Sequence, residues 1–125
     1  VVAQAVQDRG QEVAIVASTD LSHHGGHFPA PGGRGDVGER WTRANDKRMI
    51  HLAESMSATE VIPESYKRMN ACGAGALAAA IAACKALGAE RGICLEYTNS
   101  YVITHQKRPY ELDDTTVGYA SVVFA

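Results

Sequence analysis

The feature that most constrains this chain is a short apolar run that leads directly into a cluster of reactive side chains. Residues 12–17 are mostly β-branched or small and apolar, and they predict a buried β-strand. Asp20, His23, His24 and His27 follow, all within eight residues. In α/β proteins, ligands bind in the crevice beyond the carboxyl ends of the strands. Three imidazoles and a carboxylate at such a position indicate a metal site or an acid–base site.

A plainer interpretation of the same segment stays open. The serine, threonine and aspartate residues at 18–22 are types that cap helix N-termini, and histidines in loops are often only solvated. Asp20 nevertheless lies three residues before His23, where it can fix one imidazole tautomer, as an acid–base histidine requires. The pattern therefore favours Asp20 and His23 as the functional pair, while His24 and His27 are equally well explained as solvated residues.

The rest of the pattern predicts a single α/β domain over residues 1–125, with a mixed sheet flanked by helices. Residues 25–38 are rich in glycine and proline and predict part of a long loop. The predicted elements are a helix ending at Arg9, a strand at 12–17, a loop at 18–38, a helix at 39–56, a short helix that Pro63 opens and that ends at Met69, a helix at 73–87, a strand at 91–103, a loop or hairpin at 104–115 and a strand at 116–124.

Composition argues against several functional classes. The net charge of −2 gives no basic footprint for nucleic acid, and no run of about 18 apolar residues is present to span a membrane. Three cysteines, Cys72, Cys84 and Cys94, have no C-x-x-C spacing. An odd count argues against a closed disulfide framework and fits a reducing compartment. We therefore expect a cytoplasmic protein without nucleic-acid or membrane partners.

Cys72 is the second candidate for chemistry. It lies in the segment N-A-C-G-A-G at 70–75, where a loop passes into a predicted helix. The N-terminus of a helix favours a thiolate, which is both a nucleophile and a soft metal ligand. The competing interpretation is a small buried residue before a tightly packed helix. Cys84 and Cys94 are expected to be inert core residues.

Five short motifs occur in an order that resembles the C-terminal half of the Memo-like family, which includes proteins called AmmeMemoRadiSam system protein B. Each motif is weak by itself, whereas five in order with suitable spacing are fairly specific. The resemblance covers nearly the whole chain except the segment 25–41. The motifs are S-T-D-L-S-H at 18–23, N-A-C-G-A-G at 70–75, A-L-G-A at 86–89, Y-T-N-S at 97–100 and V-G-Y-A at 117–120.

This resemblance implies a relation in fold to class III extradiol ring-cleaving dioxygenases, which hold a non-haem iron between two histidines and a glutamate. In Memo-like proteins a cysteine takes the place of the glutamate. Carried over to this chain, Cys72 is the thiolate ligand, His23 is the metal-facing or acid–base histidine, and Asp20 orients it. The implied cofactor is a divalent metal, foremost Fe(II), with Cu or Zn as alternatives, because imidazole and thiolate suit these ions better than magnesium or calcium.

The family's two metal-binding histidines belong to its N-terminal half, and His24 and His27 do not match their positions. The resemblance therefore implies that this chain acts with an N-terminal half of the same protein, or with a separate complementary chain, so an oligomer is expected. It also implies a small-molecule ligand. The implied function is a metal-dependent oxidoreductase of the class III extradiol dioxygenase type. The alternatives are a non-catalytic metal- or peptide-binding Memo-like protein and a purely structural half-domain.

Overall fold

Five helices and three strands make up the part of the chain that the structure describes, which is residues 1–10, 12–26, 28, 34–110 and 115–125 of this computed structural model. The helices flank an antiparallel sheet, so the predicted α/β class is confirmed. The elements are α1 (Val2–Arg9), β1 (His23–Gly25), α2 (Asp36–Glu54), α3 (Ala58–Arg68), α4 (Ala74–Ala86), β2 (Gly92–Asn99), α5 (Ser100–Lys107) and β3 (Thr115–Phe124).

Strand β3 lies in the middle of the sheet and pairs antiparallel with β1 on one side and β2 on the other. Its β-branched and aromatic residues favour an extended, half-buried strand. The register places His23 opposite Val117 and, at the far end of β3, Gly92 opposite Phe124. The start of β3 therefore lies beside the residues that precede and form β1, where the reactive cluster is found.

The core lies where α2 packs on β3 and where α3 packs on both α2 and α4. Helix α4 is rich in alanine, so α3 approaches it closely, and Val61 and Ile81 are fully buried in the contact region. At the start of β2, a Cβ on Gly92 would lie 2.5 Å from the carbonyl oxygen of Ala53, so this strand packs directly on the backbone of α2. The buried apolar residues are Leu21, Met49, Ala53, Met56, Val61, Ala71, Leu77 and Ile81.

The strand predicted at 12–17 does not form. A strand needs a neighbour for its backbone hydrogen bonds, and none of the strands in the described ranges pairs with this segment. Val13 and Val16 are exposed, and Val16 retains 87 % of its accessible surface. The apolar composition of the run predicted burial, but the described residues do not supply the surface that would cover it.

Two further element boundaries differ from the prediction. Helix α3 begins at Ala58 and contains Pro63 in its interior, because burial of Val61 against the core offsets the hydrogen bond that proline cannot donate. Strand β2 ends at Asn99 and not at 103, and α5 occupies residues predicted as strand and loop. The Asn99 side chain accepts a hydrogen bond from the Val102 amide, so it caps α5 and ends the strand.

The predicted loop at 18–38 contains β1 and the first residues of α2. His27 and residues 29–33 of that loop lie outside the described residues, as do residues 111–114 of the loop or hairpin predicted at 104–115. The helices predicted to end at Arg9 and to cover 73–87, and the strand predicted at 116–124, are confirmed within one or two residues.

Candidate functional site

Backbone hydrogen bonds fix the segment that precedes β1 against the middle of the sheet. The Leu21 amide donates to the Gly118 carbonyl over 3.0 Å, and the Gly118 amide donates to the Ser22 carbonyl over 3.0 Å. On the other side, the Cys72 amide donates to the Asp20 carbonyl over 3.3 Å. Asp20 therefore lies between β3 and the loop before α4, although the sequence separates these parts widely.

Thr19 and Gly73 bring the loop before α4 close to Asp20. The Thr19 hydroxyl accepts a hydrogen bond from the Gly73 amide over 2.8 Å and donates to the Asp20 carbonyl over 2.7 Å. A Cβ on Gly73 would lie 2.6 Å from the Ser18 carbonyl oxygen, a distance that real side chains do not adopt. Glycine at this position is therefore what allows Cys72 to lie next to Asp20.

The structure brings Asp20, His23 and Cys72 together in one cluster. One potential ligand atom from each of the three lies within 4.8 Å of the other two. His23 Nε2 and Asp20 Oδ2 are 3.4 Å apart, and their side chains are 27 % and 49 % exposed. His23 Nε2 is itself shielded from solvent and has no hydrogen-bond partner. A shielded nitrogen without a partner is costly, so it favours an additional group at this point.

A cleft of about 450 Å³ opens beside the cluster. Its walls are mainly apolar and aromatic, and its polar groups come from His23, Cys72, Ser65 and Tyr66. The Phe28 ring packs on the His23 imidazole with centroids 4.8 Å apart, which limits the orientations of that imidazole. Such a cleft suits a small, largely apolar molecule whose polar end meets the cluster. The lining residues are Leu21, His23, Phe28, Ser65, Tyr66, Met69, Ala71 and Cys72.

A buried carboxylate, Asp46 of α2, is hydrogen-bonded to the segment that carries the cluster. Asp46 accepts hydrogen bonds of 2.8 Å from the Ser22 amide and from the Tyr97 hydroxyl. Burial raises the pKa of the Asp46 carboxyl, and the hydrogen bonds from Ser22 and Tyr97 partly oppose this shift. Burial and the neighbouring carboxylate also raise the pKa of Tyr97, so its hydroxyl keeps the proton that it donates. Asp46 thereby links α2, β2 and the segment before β1.

Two buried amides extend this network to the loop before α4. The Asn45 side chain donates to the Ser22 hydroxyl over 3.0 Å and to the Arg68 carbonyl over 2.9 Å. Asn70 in turn donates to the Asn45 carbonyl over 3.1 Å. These bonds join α2, the end of α3 and both segments that carry the cluster. The polar network holds the cluster residues at fixed positions relative to one another.

Sequence reasoning missed most of this supporting network. The sequence pointed to Ser22 only as a helix-capping type of residue and to Asn70 only as part of a motif, and neither indicated a buried hydrogen-bond network. Asp46 shares a helical stripe with Met49 and Ala53, and a carboxylate on an apolar stripe is a signal that could have identified it.

The other histidine and cysteine candidates lie elsewhere. His24 is only 2 % exposed, so its interpretation as a solvated residue is wrong. Its ring packs on Trp41 with centroids 5.4 Å apart, and its Nε2 has no hydrogen-bond partner among the described residues. His27 lies outside the described residues. Cys84 and Cys94 are partly buried and free, and neither belongs to the cluster of Asp20, His23 and Cys72.

Among the described helices, none combines the length and apolarity needed to cross a bilayer.

Comparison with known proteins places this site in context. The family model described as Memo-like protein matches residues 1–123. MEMO1 family proteins from Methanococcoides burtonii and Methanopyrus kandleri are 28 % and 31 % identical to the chain, and each alignment covers 98 % of this chain and 39 % of the relative. A MEMO1 family protein from Methanothermobacter thermautotrophicus is 33 % identical, covering 95 % and 37 %. The chain thus spans about two fifths of the length of these curated relatives. No solved structure matches it.

Proposed function

Because the chain belongs to the Memo-like protein family, we propose that it contributes the Asp20, His23 and Cys72 side of a metal-dependent oxidoreductase site of the class III extradiol dioxygenase type. The observation that carries this proposal is the cluster itself. Three side chains of different ligand chemistry converge within 4.8 Å, and the imidazole nitrogen among them has no hydrogen-bond partner. The residues present therefore fit a metal ion.

The three ligand types restrict which metal ion this site can bind. Imidazole and thiolate favour first-row transition metals and zinc, while a single carboxylate is too few oxygens for calcium or magnesium. Fe(II) is the ion that the proposed oxidoreductase needs, with Cu and Zn as alternatives. When bound, iron would supply the means of activating dioxygen beside an organic substrate. Cys72 and His23 would hold the metal, and Asp20 would lie beside them.

The residues of this chain have separate tasks in the proposed reaction. His23 offers Nε2 either to the metal or, where Cys72 and the complementary half hold the metal, to a proton of the substrate. Asp20 Oδ2 lies 3.4 Å from that nitrogen and orients the ring. Phe28 limits the rotation of that ring. The apolar cleft binds the body of a small molecule, and its volume of about 450 Å³ suits one aromatic ring with substituents. A catechol-type substrate combines such a ring with two oxygens that can meet the cluster.

The remaining part of the site is proposed to come from an N-terminal half of the same protein or from a complementary chain, because the chain spans only about two fifths of its relatives. The unpaired segment 12–17 is the proposed contact, since Val16 is 87 % exposed beside an apolar cleft of about 440 Å³. Where the two parts are separate chains, Val16→Asp should weaken their association by about tenfold or more, because burying an unpaired carboxylate costs more than the about 1.4 kcal/mol of a tenfold change; native mass spectrometry measures it. Leu95→Asp, at a 63 % exposed residue that does not line this cleft, is the control. Equal effects of both substitutions would contradict the proposed contact.

The experiment on the metal uses cobalt as a spectroscopic probe. Co(II) added anaerobically should give a thiolate-to-cobalt charge-transfer band in the wild-type protein, and Cys72→Ser should abolish that band. Cys94→Ser is the matched control, because Cys94 is a free cysteine outside the cluster. A band that survives in Cys72→Ser would remove Cys72 as a ligand.

Activity is tested separately, in the complete protein reconstituted with Fe(II) and supplied with a panel of catechols. Oxygen uptake and a ring-opened product are expected, and both should fall strongly in His23→Ala. Absence of product with full metal occupancy would refute the oxidoreductase and leave metal binding intact.

That outcome would favour the second candidate, a non-catalytic metal- or peptide-binding protein. It is supported by the donor set: Cys72 is exposed in this chain, where a partner can reach it, and imidazole and thiolate bind copper or zinc without any turnover. A cytoplasmic location is proposed with either function, because all three cysteines are free.

A further inference from the structure

A second cleft, distinct from the metal cluster, lies between α2 and the C-terminal end of α3. We propose that this basic cleft binds a small phosphate-bearing anion, either free phosphate or a phosphomonoester. Its volume is about 260 Å³, which is too small for a drug-sized ligand and ample for such an anion. The residues that matter for binding are Trp41, Arg48, Lys67 and Arg68.

The charged residues that line this cleft are all cations. Arg48, Lys67 and Arg68 line it, and no acidic residue does. The whole chain carries a net charge of −2, so the accumulation is local. None of the three cations forms an ion pair with any residue in the described part of the chain. Three unpaired cations around one concavity repel one another, and an anion bound among them would relieve that repulsion.

Partners for these cations are available in the sequence but are not used. Glu64 lies three residues before Lys67 and four before Arg68 on α3, the spacing of helical ion pairs. Its carboxylate instead accepts a hydrogen bond from Asn70. Glu60 and Glu64 line a neighbouring cleft with Arg48 and Lys67, yet no pair comes within ion-pair distance. By contrast, Arg43 on α2 is paired with Glu39 at 2.7 Å.

The helix dipole explains only part of the arrangement. Lys67 and Arg68 occupy the last turn of α3, where cations stabilise the helix end without any ligand. Arg48 belongs to the middle of α2 and has no such role, yet it faces the same cleft. Two guanidinium groups can each bind two oxygens of one phosphate, which a tetrahedral dianion matches better than chloride does. Convergence from two helices therefore points to a ligand.

The chain carries its own reporter for this cleft, because Trp41 is its only tryptophan. Inorganic phosphate and glycerol phosphate are titrated at constant ionic strength while Trp41 fluorescence is followed. Phosphate is expected to change the emission with saturation and to protect Trp41 from iodide but not from the neutral quencher acrylamide. Arg48→Gln and Arg68→Gln should each weaken phosphate binding by about three- to tenfold, the loss expected for one charge-assisted contact at an exposed site.

Lys47→Gln is the matched control, since Lys47 is an exposed cation of α2 that does not line the cleft. It should leave both the phosphate affinity and the iodide quenching unchanged. Saturable binding that only the cleft variants weaken supports the proposal. Equal effects of Lys47→Gln and Arg48→Gln, or a response to chloride equal to that of phosphate, would show only general screening and would overturn it. An unresponsive Trp41 with no heat of phosphate binding in calorimetry would also overturn it.

Discussion

Among the glycines that the structure describes, Gly118 is expected to be the least tolerant of a side chain. A Cβ at this position would overlap Oδ2 of Asp46, which is fully buried. That oxygen is the acceptor for the Tyr97 hydroxyl, and Gly118 also exchanges backbone hydrogen bonds with Leu21 and Ser22. Gly118→Ala must therefore displace either the carboxylate or the strand, and both movements disturb the segment that carries Asp20 and His23.

The expected loss follows from two contributions. Overpacking by one methyl group costs about 1–3 kcal/mol, and a hydrogen bond to a charged group that is broken costs about 1.5–3 kcal/mol. Together they give about 2.5–6 kcal/mol, a large share of the about 5–15 kcal/mol by which a domain is stable. At about 2.1 cal/mol/K of unfolding entropy per residue, a loss of about 4 kcal/mol in a chain of 125 residues lowers Tm by about 15 °C.

Urea unfolding followed by circular dichroism measures this loss, with Gly75→Ala as the control. Gly75 is an exposed residue of α4, and a Cβ there would have no neighbour within 4 Å, so alanine should stabilise the helix by up to about 1 kcal/mol. In an Asp46→Ala background, the cost of Gly118→Ala should fall below about 1 kcal/mol, because the overlapping carboxylate is gone. A Gly118→Ala protein within 1 kcal/mol of wild type, at an unchanged denaturant slope, would refute the proposed contact.

Three further outcomes are expected. Because burial raises the pKa of Asp46, the native state binds this proton more tightly than the unfolded chain does. The stability of the wild type relative to Asp46→Asn should therefore fall as the pH rises from about 4 through the raised pKa. Parallel pH profiles of the two proteins would contradict this. Met69 adopts a left-handed conformation with φ of 53° at the end of α3, so Met69→Gly should raise the free energy of unfolding by about 0.5–1 kcal/mol; a loss would show that side-chain packing dominates. Asn99→Ala removes the hydrogen bond that caps α5 at the Val102 amide and the hydrogen bond to Glu39, and should lower the free energy of unfolding by about 2–3 kcal/mol. Amide exchange in α5 should become faster. A loss of stability without faster exchange in α5 would argue against a capping role.

The sequence predicted the elements whose signal is local. The alanine-rich helix α4, ended by Gly88 with φ of 104°, and the β-branched strand β3 were both recognisable from residue type and spacing. The α/β class followed from such elements. Prediction was wrong where tertiary contacts decide the structure: Val61 keeps α3 helical across Pro63, and the run 12–17 lacks a pairing strand within the described residues.

The candidate site was predictable only in part. Asp20 and His23 are three residues apart, so their proximity could be inferred from the sequence. The approach of Cys72 to them depends on a hydrogen bond between the Thr19 hydroxyl and the Gly73 amide, which no spacing rule predicts. The family resemblance predicted that Cys72 lies near His23, and the hydrogen bond between Thr19 and Gly73 explains how the two come together. The basic cleft had no sequence signal, because its cations come from two helices and are far apart in the chain.

The hydrogen bond from Gly73 to Thr19 joins residues 54 positions apart, and the contacts of Gly118 with Leu21 and Ser22 close a still longer loop. Cys72 therefore joins Asp20 and His23 only when distant parts of the chain have closed on each other, and the entropy of closing such loops is offset only by the completed packing. The cluster of Asp20, His23 and Cys72 is thus a property of the completed fold. A ligand that recognises it binds the native state alone, so occupancy at one hundred times the dissociation constant would add about 2.7 kcal/mol to the stability of the entire fold.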